Sequence, residues 1–303
     1  MMEKKLFRTD LAYEATDVEG QGTLGGVRRE SRTQDGVEIF EVEITTQEAS
    51  RRLHKSCGRY LTLSVGRVWS DPTEVFRRKV HLLSRELSHF LPRARGGVLL
   101  VGLGNRRITA DAIGPMAMEH VLVTRHLEEK QPALFSSLEL SRTAAIAPGV
   151  LGQTGIESAD IIRSLVADLR PSMVLCVDAL ASRSLSRLAT TVQISDAGIA
   201  PGSGVGNRRD ALCEQTLGVP VCALGVPMVV DAASLAWDVL QSTLGEQAPC
   251  DGFEELLPEG LNFFVTPKET DEIMRSLSAL IGYGINLALH PTLDYDEMLS
   301  LVG

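Results

Sequence analysis

Two aspartates, Asp111 and Asp178, stand where a carboxylate could do chemistry. Each follows an apolar run. Val98-Leu99-Leu100-Val101-Gly102 leads through Gly104 and Asn105 to Asp111, and Met173-Val174-Leu175-Cys176-Val177 ends directly in Asp178. Short runs that are apolar at every position suit strands buried on both faces of a parallel sheet. In open α/β sheets, ligands and catalytic groups collect in the crevice beyond the carboxyl ends of the strands. Two carboxylates meeting there cannot both ionise cheaply. They would share a proton, and such a pair can activate a water while its protonated member donates to a carbonyl oxygen. The competing reading is that each aspartate caps the turn or helix after its strand.

Other chemistries find less support. Glycine-rich loops at 149–155 and 198–206 could present backbone N–H groups to an anion, leave room for an extended peptide, or form simple tight turns. Asn105, Gly149, Asp196, Gly202 and Gly204 are assigned to substrate binding or loop support on this basis. No Gly-Lys-Ser/Thr ends either loop, and Arg107 stands where a dinucleotide fingerprint needs its third glycine. A Gly-x-Ser-x-Gly elbow and an H-E-x-x-H helix are both missing, and no histidine occurs from residue 127 to 289. Asp111, Asp178 and Asp196 as oxygen ligands of a divalent cation remain an alternative, as does a non-catalytic scaffold whose loops bind a peptide.

Strands and helices alternate around these loops. Phe76, Val80, Leu83, Leu87 and Phe90 mark an amphipathic helix feeding the first apolar strand, and Ile161, Ile162, Leu165, Val166 and Leu169 mark one feeding the second. Ala112–Leu127 is predicted helical with Pro115 in its first turn, and further strands are predicted at Thr191–Ser195 and Val219–Gly225. Thr266-Pro267-Lys268-Glu269 reads as the start of a last helix, with Thr266 as N-cap. Residues 1–35 read as an exposed or loosely attached arm, and residues 244–260 as an acidic, irregular connection. The expected fold class is α/β, a mainly parallel central sheet flanked by helices.

Composition sets the outer limits. The 303 residues are 44% hydrophobic and 23% charged, as in an ordinary soluble domain. A net charge of −9 argues against a general nucleic-acid binder. Five scattered cysteines without a C-x-x-C pair fit a reducing compartment, and neither a secretory signal nor an apolar run of membrane-spanning length is present. A cytoplasmic location is expected.

Beyond these physical readings, the sequence resembles the spore germination proteases of endospore-forming bacteria. The likeness is carried by Arg8-Thr9-Asp10-Leu11-Ala12, Val101-Gly102-Leu103-Gly104-Asn105, Asp111-Ala112-Ile113-Gly114-Pro115-Met116, Val177-Asp178-Ala179-Leu180-Ala181, Gln193-Ile194-Ser195-Asp196 and Pro201-Gly202-Ser203-Gly204-Val205-Gly206-Asn207, among others along nearly the whole chain. The resemblance implies a cofactor-free, atypical aspartic endopeptidase that begins breakdown of small acid-soluble spore proteins in the spore core, with Asp111 and Asp178 catalytic. It also implies a fold like the hydrogenase-maturation proteases, within a phosphorylase/hydrolase-like class, and a homotetrameric zymogen that removes its own N-terminus. Thr9-Asp10-Leu11-Ala12-Tyr13-Glu14 resembles the acidic-then-aliphatic sequence such enzymes cut. Self-cleavage is therefore expected between Asp10 and Leu11, giving a propeptide of residues 1–10 and one peptidase domain of residues 11–303. The connection between Val239 and Leu261 is shorter than in the longer members of that family.

Overall fold

All five residues of Val98–Gly102 are buried, and so are nine of the ten in Met173–Ser182, as strands covered on both faces must be. The computed structural model describes residues 9–18, 24–91, 96–200, 210–244 and 263–302. Its strands are β1 (Val27–Gln34), β2 (Val37–Ile44), β3 (Gly58–Leu63), β4 (Val98–Gly102), β5 (Thr143–Ile146), β6 (Met173–Ser182), β7 (Val192–Ser195), β8 (Val221–Asp231) and β9 (Phe264–Val265). They form one sheet in the order β1-β2-β3-β7-β8-β6-β4-β5, with β9 on β8. The pairs β5–β4, β4–β6 and β6–β8 are parallel and make up the α/β half read from the sequence. The remaining pairs are antiparallel, so a meander of β1, β2, β3 and β7 extends the parallel block.

Helices cover both faces. On one side lie α3 (Thr73–Ser88), α4 (Ile113–Met118), α11 (Thr270–Leu289) and α12 (Tyr295–Val302), packed on Val98, Leu100, Leu175, Val177, Leu224 and Val226. On the other, α8 (Ser158–Leu169) packs on Leu99, Val101, Val174 and Cys176. Between these in sequence come α1 (Ala12–Val18), α2 (Gln47–Leu53), α5 (Arg125–Lys130), α6 (Pro132–Ser137), α7 (Leu151–Thr154), α9 (Glu214–Leu217) and α10 (Ala232–Leu244). Strand alternation thus sends Val177 to the α3 face and Cys176 and Asp178 to the α8 face.

Several boundaries differ from the sequence reading, each for a physical reason. The helix expected over Ala112–Leu127 stops at Met118, because the buried Asn286 takes over the backbone beyond it. Its Oδ1 accepts from Leu122 N–H at 2.7 Å and its Nδ2 donates to the His120 carbonyl at 2.8 Å. Thr266 is not an N-cap: β9 holds the chain extended to Val265, and α11 begins only at Thr270. The N-terminal region is not a loose arm over its described part. Leu11 and Ala12 are wholly buried, and β1 pairs with β2 along its full length. The expected connection at 244–260 lies outside the described residues, apart from Leu244 at the end of α10.

One buried group ties stability to pH. His290 follows α11, is fully buried, and accepts from Ser141 N–H at Nδ1 over 3.2 Å. Burial pushes its pKa from 6.5 down to about 4, with the Leu122 backbone opposing the shift. The unfolded chain therefore binds the proton more readily between these values, so stability is intact above about pH 6.5 and falls as the pH drops toward 4. The loss across that window is about 3 kcal/mol at most. Urea unfolding of His290→Gln, which keeps an acceptor for Ser141, is expected to show that part of the acid sensitivity removed.

Candidate active site

The site is built where β4 stops. Gly102 pairs with Val177, and the next residue, Leu103, donates its N–H to the Val177 carbonyl at 2.8 Å before the chain leaves the sheet. β6 runs on to Ser182, so Asp178 is not strand-terminal as expected. It lies within β6, one residue beyond the last partner β4 supplies. Its side chain is 6% exposed, and its Oδ1 accepts from Ala179 N–H at 2.9 Å.

Asp111 closes the loop that follows β4. Asn105 N–H donates both to its carbonyl at 3.0 Å and to its Oδ2 at 2.8 Å. Gly104 makes that closure possible: its φ is +111°, and a Cβ there would lie 2.1 Å from the Asp111 carbonyl oxygen. The single helical turn Thr109–Asp111 packs against β6 and β8, and Asp111 itself is half-buried. Neither carboxylate caps a helix. The N-cap of α4 is Ala112, and Asp178 sits within a strand.

The register carries the site across the sheet. Asp178 pairs with Gly225, and Gly225 pairs with Gln193, so the three stand in one row. Their neighbours Val177, Leu224, Val226, Val192 and Ile194 all face α3 and α11, which leaves the row itself on the opposite face. An open cavity of about 610 Å³ lies beside this row, walled by Lys55, Tyr60, Leu180, Gln193, Asp196 and Gly225 among others. Asp111 and Asp178 are not part of its wall. Asp196 serves the wall directly, since its Oδ1 accepts from Arg59 N–H at 2.7 Å and holds the end of β7 against β3. Burial, followed by the charge of Asp196, pushes the Tyr60 hydroxyl pKa upward.

Asp10 lines the same cavity, and the expected cleavage segment is docked rather than free. Asp10 N–H donates to the Ala181 carbonyl at 2.8 Å, and Ala181 N–H donates to Asp10 Oδ2 at 2.8 Å. Lys55 Nζ donates to the Thr9 carbonyl at 2.9 Å. Packing lowers the Lys55 pKa, while Asp10 and Glu14 pull it the other way. Glu14, 5% exposed, accepts from the N–H groups of Arg183 at 2.8 Å and Ser184 at 3.0 Å. The register of β6 against β8 shifts between Leu180 and Ala181, where Leu180 pairs with Pro227, a residue with no N–H to give, Ala181 pairs with Val229, and Met228 is the extra residue on β8.

The remaining residues expected from the sequence divide. Asn105 Oδ1 accepts from Gln153 Nε2 at 2.7 Å and from Arg107 N–H at 3.0 Å, so the loops after β4 and β5 are tied together next to Asp111. Gly149, at φ +76°, turns the second loop, and its carbonyl accepts from Ser158 Oγ at 2.9 Å. Gly202 and Gly204 lie outside the described residues. Among the described residues, Asp111, Asp178 and Asp196 are not brought into a metal-holding group. Cys176 and Cys222 pack as small apolar groups, and burial pushes both thiol pKa values upward. No described helix is long and apolar enough to cross a membrane.

Gln193, Lys55 and Glu14 were not singled out from the sequence. A signal for Gln193 existed: it lies between Val192 and Ile194 in a strand buried on both faces, and a polar side chain there must find partners.

The germination protease family model, Peptidase A25, matches residues 6–248. Curated germination proteases include one from Caldanaerobacter subterraneus, 38% identical over 317 residues with 97% of this chain and 98% of that protein covered. Another, from Clostridium acetobutylicum, is 39% identical over 323 residues with the same coverage. A Bacillus cytotoxicus germination protease is 36% identical over 360 residues, covering 98% of this chain and 97% of that protein. Among solved structures, the [NiFe] hydrogenase maturation protease HycI from Thermococcus kodakarensis superposes with a TM-score of 0.36 at 16% identity, over 66% of this chain and 98% of that one. With the family model spanning most of the sequence and relatives aligned nearly end to end, the chain belongs to the germination protease family.

Proposed function

We propose that this chain is an endopeptidase that begins breakdown of small acid-soluble spore proteins during germination, using Asp111 and Asp178 as an acid–base pair. One observation carries the reading: β4 ends opposite Val177, so the loop closed by Asp111 leaves the sheet beside Asp178. In the mechanism, one carboxylate takes a proton from the attacking water. Its protonated partner donates to the scissile carbonyl oxygen as the tetrahedral intermediate forms; on collapse the first carboxylate gives its proton to the leaving amine and the partner takes one back from a hydroxyl of the intermediate. Asn105, Gly149, Asp196, Gly202 and Gly204 serve substrate binding or loop support. No resident cofactor takes part.

The same reading makes the chain a zymogen, with residues 1–10 as propeptide and residues 11–303 as one peptidase domain. It would act as a homotetramer in the cytoplasm of the spore core. The seating of Asp10 on Ala181, three residues beyond Asp178 along β6, supports an intramolecular cut, because the buried Leu11 is closed to a second enzyme molecule while docked. Intact-mass analysis of acid-treated protein is expected to show a species beginning at Leu11, followed by cleavage of an added small acid-soluble spore protein. If added substrate binds and survives uncut, the scaffold reading replaces this one. If chelator abolishes cleavage and metal restores it, the metal-dependent reading does.

A further inference from the structure

We propose that Gln193 is the positioning residue that sets which bond self-cleavage breaks, an inference that rests on the self-processing reading above. Its side-chain amide makes two bonds to the docked segment, one on each side of Leu11. Gln193 Nε2 donates to the Asp10 carbonyl at 3.2 Å, and Gln193 Oε1 accepts from Ala12 N–H at 2.8 Å. That is the pattern one residue of a parallel strand would make through its own N–H and C=O, bonding the carbonyl before a residue and the N–H after it. A side chain on β7 thus stands in for a strand, and the carbonyl it holds belongs to the Asp10–Leu11 bond.

The rest of the cradle fixes the same register. Ala181 takes both the N–H and the carboxylate of Asp10, Lys55 takes the Thr9 carbonyl, and Leu11 is wholly buried. A slip of one residue would withdraw Leu11 from its pocket and put other backbone groups opposite the amide. Gln193 is 7% exposed and held within the sheet, so it has little freedom to follow such a slip. It also shares its row and its face with Asp178, with Gly225 between them and the Leu180 side chain packed over that glycine. Adjacent strands lie about 4.8 Å apart, so two strand spacings put the clamp about 10 Å from Asp178 along the row. The docked segment is thereby held on the face that the candidate catalytic aspartate occupies.

Gln193→Glu and Gln193→Leu test this, with the rate and position of self-cleavage followed by intact mass and N-terminal sequencing from pH 7 to pH 4. Gln193→Glu keeps the shape and the acceptor for Ala12 N–H, but once ionised it faces the Asp10 carbonyl with no proton to donate. Its rate relative to the unaltered chain at the same pH is expected to fall about tenfold at pH 7, the effect of one lost hydrogen bond. The ratio should recover as the pH enters the carboxylate range and the acid regains a donor. Gln193→Leu is expected to stay slow at every pH and to spread cleavage to neighbouring bonds, with thermal unfolding confirming that it folds. A Gln193→Glu ratio that is flat with pH, or Gln193→Leu cutting only Asp10–Leu11 at the unaltered rate, overturns the proposal. If the unaltered chain itself never cuts there, the self-processing reading falls instead.

Discussion

Asp178→Asn is expected to yield a folded chain that neither shortens itself at Asp10–Leu11 nor cuts an acidic substrate peptide. The structure says why the fold should survive. Asp178 Oδ1 accepts from Ala179 N–H, and an asparagine oxygen accepts that bond equally well. Asp111→Asn likewise keeps an acceptor for Asn105 N–H, so the loop after β4 stays closed. What disappears in either case is a group that takes up and returns a proton. General acid–base groups contribute roughly 10²- to 10⁴-fold to rate, so each single change is expected to cost at least that much. If the pair acts as a unit, as proposed, the double variant should be scarcely slower than either single one. Thermal unfolding, intact mass after acid treatment and a peptide-cleavage assay together check the expectation. Full activity in a folded Asp178→Asn would end the pair mechanism, and strictly multiplicative losses would end the idea that the two carboxylates work on one water.

The parallel half of the sheet was legible because β4 and the first five residues of β6, Met173–Val177, are apolar at every position, a pattern that burial on both faces imposes. Asp178 could be picked out for the same reason, since it ends an uninterrupted apolar run, and Asp111 stands at the end of the loop that follows the other one. The antiparallel meander was legible only in part. Apolar residues alternate in β2 and β3, but β1 is charged and exposed along most of its length, and only pairing with β2 makes it a strand. The early end of α4 depends on Asn286, more than 160 residues away, and no local propensity carries that information. The seating of Thr9–Glu14 was hidden for the same reason. A polar N-terminal stretch looks like an arm until Ala181, Arg183, Ser184 and Gln193 supply its partners.

Gly114→Ala is expected to damage the protein severely. A Cβ at Gly114 would stand 2.2 Å from the Leu103 carbonyl oxygen, 2.4 Å from the Val177 carbonyl oxygen and 2.6 Å from Leu103 N. All three are backbone atoms, so no side chain can swing aside. Gly102 meets the same junction from the strand, where a Cβ would lie 2.3 Å from the Gly114 carbonyl oxygen. The first turn of α4 therefore lies directly on the ends of β4 and β6, and the only relief is to lift the helix away. Lifting it strains the Leu103–Val177 hydrogen bond and carries Asp111, three residues upstream, away from β6. The cost should exceed the roughly 1–3 kcal/mol usual for overpacking, measured as a shift in the urea midpoint. Activity should fall further than stability explains, since a misplacement of about 1 Å in a reacting group can cost about 10²-fold. Gly152→Ala is the matched control: it lies in α7 with nothing within 4 Å of the added methyl, and should be neutral or slightly stabilising. Should Gly114→Ala instead match the control in both stability and cleavage, the close approach of α4 would not be what holds the Thr109–Asp111 turn against β6. The tie between Asn105 and Gln153 would then be left to position that loop.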